Sequence, residues 1–177
     1  MANKTNAPDG FYDGHLVDAS YNHTENGSGI LELVFDVGEN YFWAKEGIFL
    51  VNAPSGDAAT DKQRKEWTIE SVKRIMEVYP EAVKDGNLSI MALCNATDEI
   101  KRKTVRVKVR TDESWKFSKA KCYPSKRGKP KMSIDDVKNA LATDSRALAS
   151  VGVVIGEAPA ASNPVVNADD ANSDIPF

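Results

Sequence analysis

A chain of 177 residues with 41% hydrophobic content is long enough for one domain with its own core, and lean enough to leave part of itself outside that core. Its longest apolar runs, such as Ile48-Phe49-Leu50-Val51, are far too short to cross a bilayer, and Met1-Ala2-Asn3-Lys4-Thr5-Asn6 holds no apolar signal segment, so a cytoplasmic protein without membrane contact is expected. The formal net charge of −3 argues against a uniformly basic polyanion binder, but charge is segregated along the chain and the segregation carries the argument below.

In chain order, residues 1–9 read as a loose arm. Residues 10–21 read as a strand bearing Phe11, Leu16, Val17 and Tyr21 among polar neighbours. Asn26-Gly27-Ser28-Gly29 is a turn signal, and residues 30–37 alternate Leu31, Leu33, Phe35 and Val37 against Glu32 and Asp36, the signature of a half-buried strand in a hairpin with the first. After the Gly38-Glu39-Asn40 turn, residues 41–51 are rich in aromatic and β-branched side chains and read as a third strand. Thr60-Asp61-Lys62-Gln63 fits a capping box, and Ile69, Val72, Ile75, Met76 and Tyr79 recur at helical spacing until Pro80 ends the run. Residues 81–99 read equally as helix or extended chain. Residues 104–110 alternate Val105, Val107 and Val109 with Arg106, Lys108 and Arg110, a strand with one apolar and one cationic face. Residues 114–123 read as a strand beside it, 124–131 as a basic loop, and Ser133 as the cap of a last helix bearing Ile134, Val137, Leu141 and Leu148.

From residue 151 the composition turns to Gly, Ala, Pro, Asn and Ser, with no Lys or Arg and with the acids Glu157, Asp169, Asp170 and Asp174. Such a segment buries too little apolar surface to offset its ordering entropy and reads as a disordered acidic tail, giving a domain over residues 1–150 and a tail over 151–177. Five strands with a helix between the third and fourth is the element order of an oligonucleotide/oligosaccharide-binding (OB) barrel. The expected fold is mainly β with helices: an OB-fold-like barrel with an inserted helix and a C-terminal helix, followed by the tail.

Two constellations carry chemistry. Between Lys101 and Lys131 stand thirteen basic residues against only Asp112 and Glu113, an excess of eleven positive charges in a chain whose remainder carries −14. A local basic block with interleaved aromatics fits single-stranded nucleic acid, which exposes phosphates and unstacked base faces together. The candidate DNA contacts are Arg106, Lys108 and Arg110 on one strand, Trp115, Phe117, Lys119, Lys121 and Tyr123 on the next, Lys126 and Arg127 in the basic loop, and Trp43 on the third strand. Trp115 and Phe117 read equally well as core residues, because aromatics are usually buried.

The second constellation is the tip, Asp169-Asp170-Ala171-Asn172-Ser173-Asp174-Ile175-Pro176-Phe177. It resembles the acidic tip of bacterial single-stranded DNA-binding proteins, which follows an OB domain and a flexible linker and docks on replication, recombination and repair proteins. The aspartate run is interrupted by Ala171-Asn172-Ser173, and the inserted and final helices are unusual for the bacterial members; the whole is more similar to phage-encoded single-stranded DNA-binding proteins acting in a bacterial cytoplasm. The resemblance implies that Asp169, Asp170, Asp174, Ile175, Pro176 and Phe177 bind a partner, with Phe177 in an apolar pocket, its carboxylate on a cation and the aspartates at a basic rim. It implies nothing about oligomeric state, and a homo-oligomer stays open.

Catalytic readings are weak. His15 and His23 have no metal-ligand spacing, Cys94 and Cys122 lie 28 positions apart and read as reduced thiols, and Glu99-Ile100-Lys101 with Asp85 mimics half a nuclease site in the wrong strand order. A non-catalytic protein without metal or cofactor is expected, one that covers single strands without strong sequence preference. Its rivals are a strand-annealing or recombination-mediator protein on the same scaffold and a decoy that captures host tail-binding enzymes.

Overall fold

The computed structural model describes residues 4–110 and 133–156. Its centre is an antiparallel sheet of four strands, β1 (Gly10–His23), β2 (Gly29–Asp36), β3 (Ala44–Val51) and β6 (Thr104–Val109), in the order β3-β2-β1-β6. The 14-residue β1 is long enough to pair with β2 along one stretch and with β6 along another. The described strands do not close into a barrel: β3 and β6 are the outer strands, each with an edge not paired to another described strand.

One bulge organises the sheet. The register of β1 on β2 shifts between Leu16 and Asp18, so Val17 is the extra residue. Before it the even positions Tyr12, Gly14 and Leu16 face inward; after it the odd positions Ala19 and Tyr21 do, and both are buried. The bulge is why Phe11 and Tyr21, both odd-numbered, point to opposite faces. Gly14 permits the close pairing there, since a Cβ would lie 2.7 Å from the Asp36 carbonyl oxygen.

Two long helices and a satellite sheet cover the inner face. Helix α1 (Ala58–Val78) supplies Val72 and Ile75, and its Thr68 hydroxyl donates to the Phe49 carbonyl at 2.8 Å, fixing it against β3. Its start differs from the expected capping box. Asp57 is the N-cap and accepts from the Ala59 and Thr60 amides, so Thr60 lies inside the first turn; an aspartate three residues before it is better placed to satisfy the same orphan N–H groups. Helix α4 (Ile134–Ala149) begins at the expected cap, with the Asp136 amide donating to Ser133 Oγ at 3.1 Å, and buries Val137, Leu141 and Leu148. It is tied to β1 by Asp144, which accepts from the Tyr21 hydroxyl at 2.5 Å and pairs with His23 Nε2 at 2.7 Å. Burial first, and then the Asp144 carboxylate, hold the Tyr21 phenol far above its usual range. Gly29 leaves room for this junction, because a Cβ there would occupy the position of the Tyr21 hydroxyl.

Residues 81–99 resolve into short pieces: a 3-10 turn (Pro80–Ala82), β4 (Val83–Lys84), β5 (Asn87–Ser89), α2 (Ile90–Cys94) and α3 (Asp98–Arg102). Strand β5 pairs antiparallel with β4 and parallel with β7 (Val153–Val154), so ordered structure continues past the expected boundary at residue 150. Val151 and Val153 are buried, and Gly156, at φ 64°, packs where a Cβ would collide with Ser89. The burial of these two valines and the strand pairing of β7 outweigh the tail-like composition that begins there. The N-terminal arm is likewise held: Ala7 is fully buried, and Thr5 bridges to Tyr41, which therefore precedes β3 rather than opening it.

Candidate nucleic-acid interface

The outer strand β6 translates its sequence alternation into two faces. Val107 and Val109 are buried and Val105 half-buried, while Arg106 and Lys108 are exposed on the outer face; Arg110, just past the strand, is exposed as well. These three cations are uncommitted. The ion pairs among the described residues are Lys45–Glu32 at 2.8 Å, Arg74–Glu46 at 2.5 Å, Arg102–Asp98 at 3.4 Å, Lys103–Glu81 at 3.0 Å and His23–Asp144, and none engages Arg106, Lys108 or Arg110. Lys103, although part of the same basic run, is spent on Glu81, whose carboxyl is held below its ordinary range by its own backbone N–H and then by the Lys103 ammonium.

In the neighbouring strand the outer row holds Phe11, Asp13 and His15, registered against Lys108, Arg106 and Thr104. Phe11 is 59% exposed. The Arg106 guanidinium lies 5.1 Å from its ring centroid and Lys108 Nζ 5.4 Å, both within the range of cation–π attraction. The sequence reading placed Phe11 in a strand but did not count it among the candidate DNA contacts. The signal that could have found it is parity, since Phe11 shares its odd positions with Asp13 and His15.

Of the other sequence candidates, Trp43 is exposed at 45% just before β3, on the outer side by its alternation with buried Ala44. No cation stands over its ring among the described residues. Tyr41 is half-buried and packs edge-on against Tyr12, ring centroids 5.5 Å apart, so it belongs to the core margin. Trp115, Phe117, Lys119, Lys121, Tyr123, Lys126 and Arg127 lie outside the described residues, as do Cys122 and the tip residues Asp169, Asp170, Asp174, Ile175, Pro176 and Phe177. His15 is exposed, with Nδ1 3.2 Å from the Lys103 carbonyl, and no group of three metal-binding side chains occurs among the described residues.

A slot of about 450 Å³ opens between β6 on one side and β2, β3 and the end of α1 on the other. Leu33, Phe35, Ile75 and Val107 form apolar walls, and Arg74, Arg106, Lys108 and Arg110 lie along it. Tyr79 stands in its wall with a buried hydroxyl that has no hydrogen-bond partner among the described residues; burial, then the Glu81 and Glu46 carboxylates, push its phenol well above the usual range.

Among the described residues no helix is long and apolar enough to cross a membrane. Comparison with protein-family models, with curated proteins and with solved structures finds no match, so the geometry of the β1–β6 face stands on its own.

Proposed function

We propose that this chain is a non-catalytic single-stranded DNA-binding protein that engages the DNA backbone along the outer face of β6. It recruits DNA-processing proteins through Asp174-Ile175-Pro176-Phe177, as its resemblance to phage-encoded single-stranded DNA-binding proteins implies. The observation that carries the reading is the row Arg106, Lys108, Arg110: two cations of β6 and one just past it, without a carboxylate partner among the described residues, at the start of a segment that keeps an excess of positive charge as far as Lys131. A row of cations raises the affinity of a surface for polyanions, and counterions are released from the phosphates when one binds.

The OB-type barrel is part of the same proposal. The connectivity of β1, β2, β3, α1 and β6, with the long β1 shared between β2 and β6, supports it. Closing the described strands into a barrel would need a further strand between the outer edges of β3 and β6, where the slot lies.

The test is a titration of the full chain with a labelled single-stranded oligonucleotide and with its duplex at one moderate salt concentration. The expected result is tighter binding of the single strand; equal affinity for both removes the single-strand reading.

A further inference from the structure

A cationic strand face alone does not distinguish single-stranded from duplex DNA, because both present phosphates. Something on the face must read what only the single strand exposes, the flat side of an unstacked base. Four large hydrophobic side chains of the described residues are exposed: Phe11, Trp43, Phe49 and Trp67. Trp67 lies on α1 rather than on the sheet. Phe49 and Trp43 are on the outer side of the sheet, but no cation stands over either ring among the described residues, and the nearest lysine of that strand, Lys45, is paired with Glu32.

Phe11 differs in three ways. It is the most exposed of the four. Arg106 and Lys108, which have no carboxylate partner among the described residues, lie 5.1 and 5.4 Å from its ring centroid. Both come from β6, on one flank of the ring, whereas β2 ends its pairing with β1 at His15, four residues short of Phe11, so no described strand covers the other flank. A base lying on that open side would have its ring against Phe11 and its flanking phosphates within reach of the two cations that already hold the phenyl ring in place.

We infer that Phe11 is the base-stacking platform of this face and the residue that makes it selective for single strands. The inference rests on the DNA-binding reading above and adds to it the side chain that confers strand selectivity. Arg106 and Lys108 then act twice, holding the ring from one side and meeting phosphate. Stacking on a phenyl ring is tolerant of base identity, so the face covers DNA without strong sequence preference.

The experiment compares the wild-type chain with Phe11→Ala, Phe11→Leu and Phe11→Trp, each titrated with single-stranded and duplex oligonucleotides, with folding checked by thermal melting. At 59% exposure the ring contributes little to the core, and all three variants are expected to melt near wild type. Phe11→Ala and Phe11→Leu are expected to lose about tenfold or more in single-strand affinity, to change duplex affinity by less than about twofold, and to keep the wild-type salt slope, because no phosphate contact is removed. Phe11→Trp restores single-strand affinity, since a larger aromatic face stacks at least as well. Single-strand affinity of folded Phe11→Ala within about twofold of wild type overturns this inference while leaving the DNA-binding reading intact. A wild-type chain that ignores single strands overturns both, and loss of single-strand and duplex affinity in equal measure assigns Phe11 to positioning Arg106 and Lys108 and overturns the stacking role.

Discussion

The two ends of the outer sheet face each carry an exposed phenylalanine, and they differ in what surrounds it. Phe11 on β1 has Arg106 and Lys108 against its ring, and no carboxylate of the described residues holds either cation. Phe49 on β3 has Ile30 registered across from it and, two positions along, Gly47, where a Cβ would press within 2.9 Å of the Ile30 side chain. The only lysine near it on that strand is neutralised by Glu32. Aromatic exposure alone is therefore a poor marker of a nucleic-acid site. Among the described residues, what distinguishes the β1–β6 end is an aromatic ring combined with cations that no described carboxylate engages, the combination that the proposed DNA contact requires.

The comparison breaks most readily by reversing its charges. Arg106→Glu with Lys108→Glu is expected to reduce single-strand affinity by well over tenfold while leaving the melting temperature close to wild type, since both side chains are exposed and unpaired. Reversing Lys45 to Glu at the other end is expected to cost far less, and an equal loss from both would mean that the whole face, rather than the β1–β6 end, attracts the DNA. The paired aromatic test sharpens the point: Phe49→Ala should change single-strand affinity by less than about twofold, in contrast to Phe11→Ala.

Next in size are effects on the borders of the domain. Removing residues 157–177 should leave the melting temperature and DNA affinity close to wild type, whereas removing 152–177 deletes β7 with the buried Val153 and should lower stability by about 2 kcal/mol, the scale of one buried valine. Urea melts of the two truncations decide it, and equal stability would show that β7 contributes nothing. Phe177→Ala should leave DNA binding unchanged and abolish capture of a tail-recognising exonuclease or helicase by the chain. Persistence of that capture would place the contact in the domain instead.

The smallest effect is in acid. Asp57 is held below its ordinary pKa chiefly by the Thr60 hydroxyl and Asp61 chiefly by the Ser55 side chain. A carboxyl depressed in the folded state contributes stability that is complete above its unfolded pKa of about 4 and is lost as pH falls through the folded value. Asp57→Asn keeps the cap but removes the charge, so it should lower stability slightly at neutral pH and flatten the decline below about pH 4. A melting-temperature profile identical in shape to wild type between pH 3 and 5 would show that the start of α1 does not titrate with folding.

Much of this was legible in the residues. The alternations of residues 30–37 and 104–110 translate directly into β2 and β6, because a period of two sends every second side chain to the core. The helical spacing from Ile69 to Tyr79 and the Ser133 cap likewise predict α1 and α4. What stayed hidden depends on contacts distant in sequence. The Val17 bulge flips the faces of β1 midway, so no single alternation describes residues 10–23 and the sequence alone assigns Phe11 to neither face. Asp144 looks like one more surface acid of a helix until Tyr21 and His23, more than 120 residues earlier, are brought to it. Strand β7 has the composition of a tail and is recruited by β5 and Ser89. Of the DNA-contact candidates, Arg106, Lys108, Arg110 and Trp43 fall among the described residues. The first three stand together, while Trp43 adjoins β3, which β2 and β1 separate from β6 in the sheet.

The central claim is that Arg106 and Lys108 meet DNA phosphates, and the salt dependence of binding tests it most directly. The logarithm of the association constant for a single-stranded oligonucleotide should fall linearly with the logarithm of salt concentration, and the slope should become shallower by about 0.7 for each phosphate contact removed. Arg106→Ala and Lys108→Ala should each flatten the wild-type slope by that amount, and the double variant by about twice as much. A double variant with the wild-type slope would contradict the account, because the cations of β6 would then touch no phosphate.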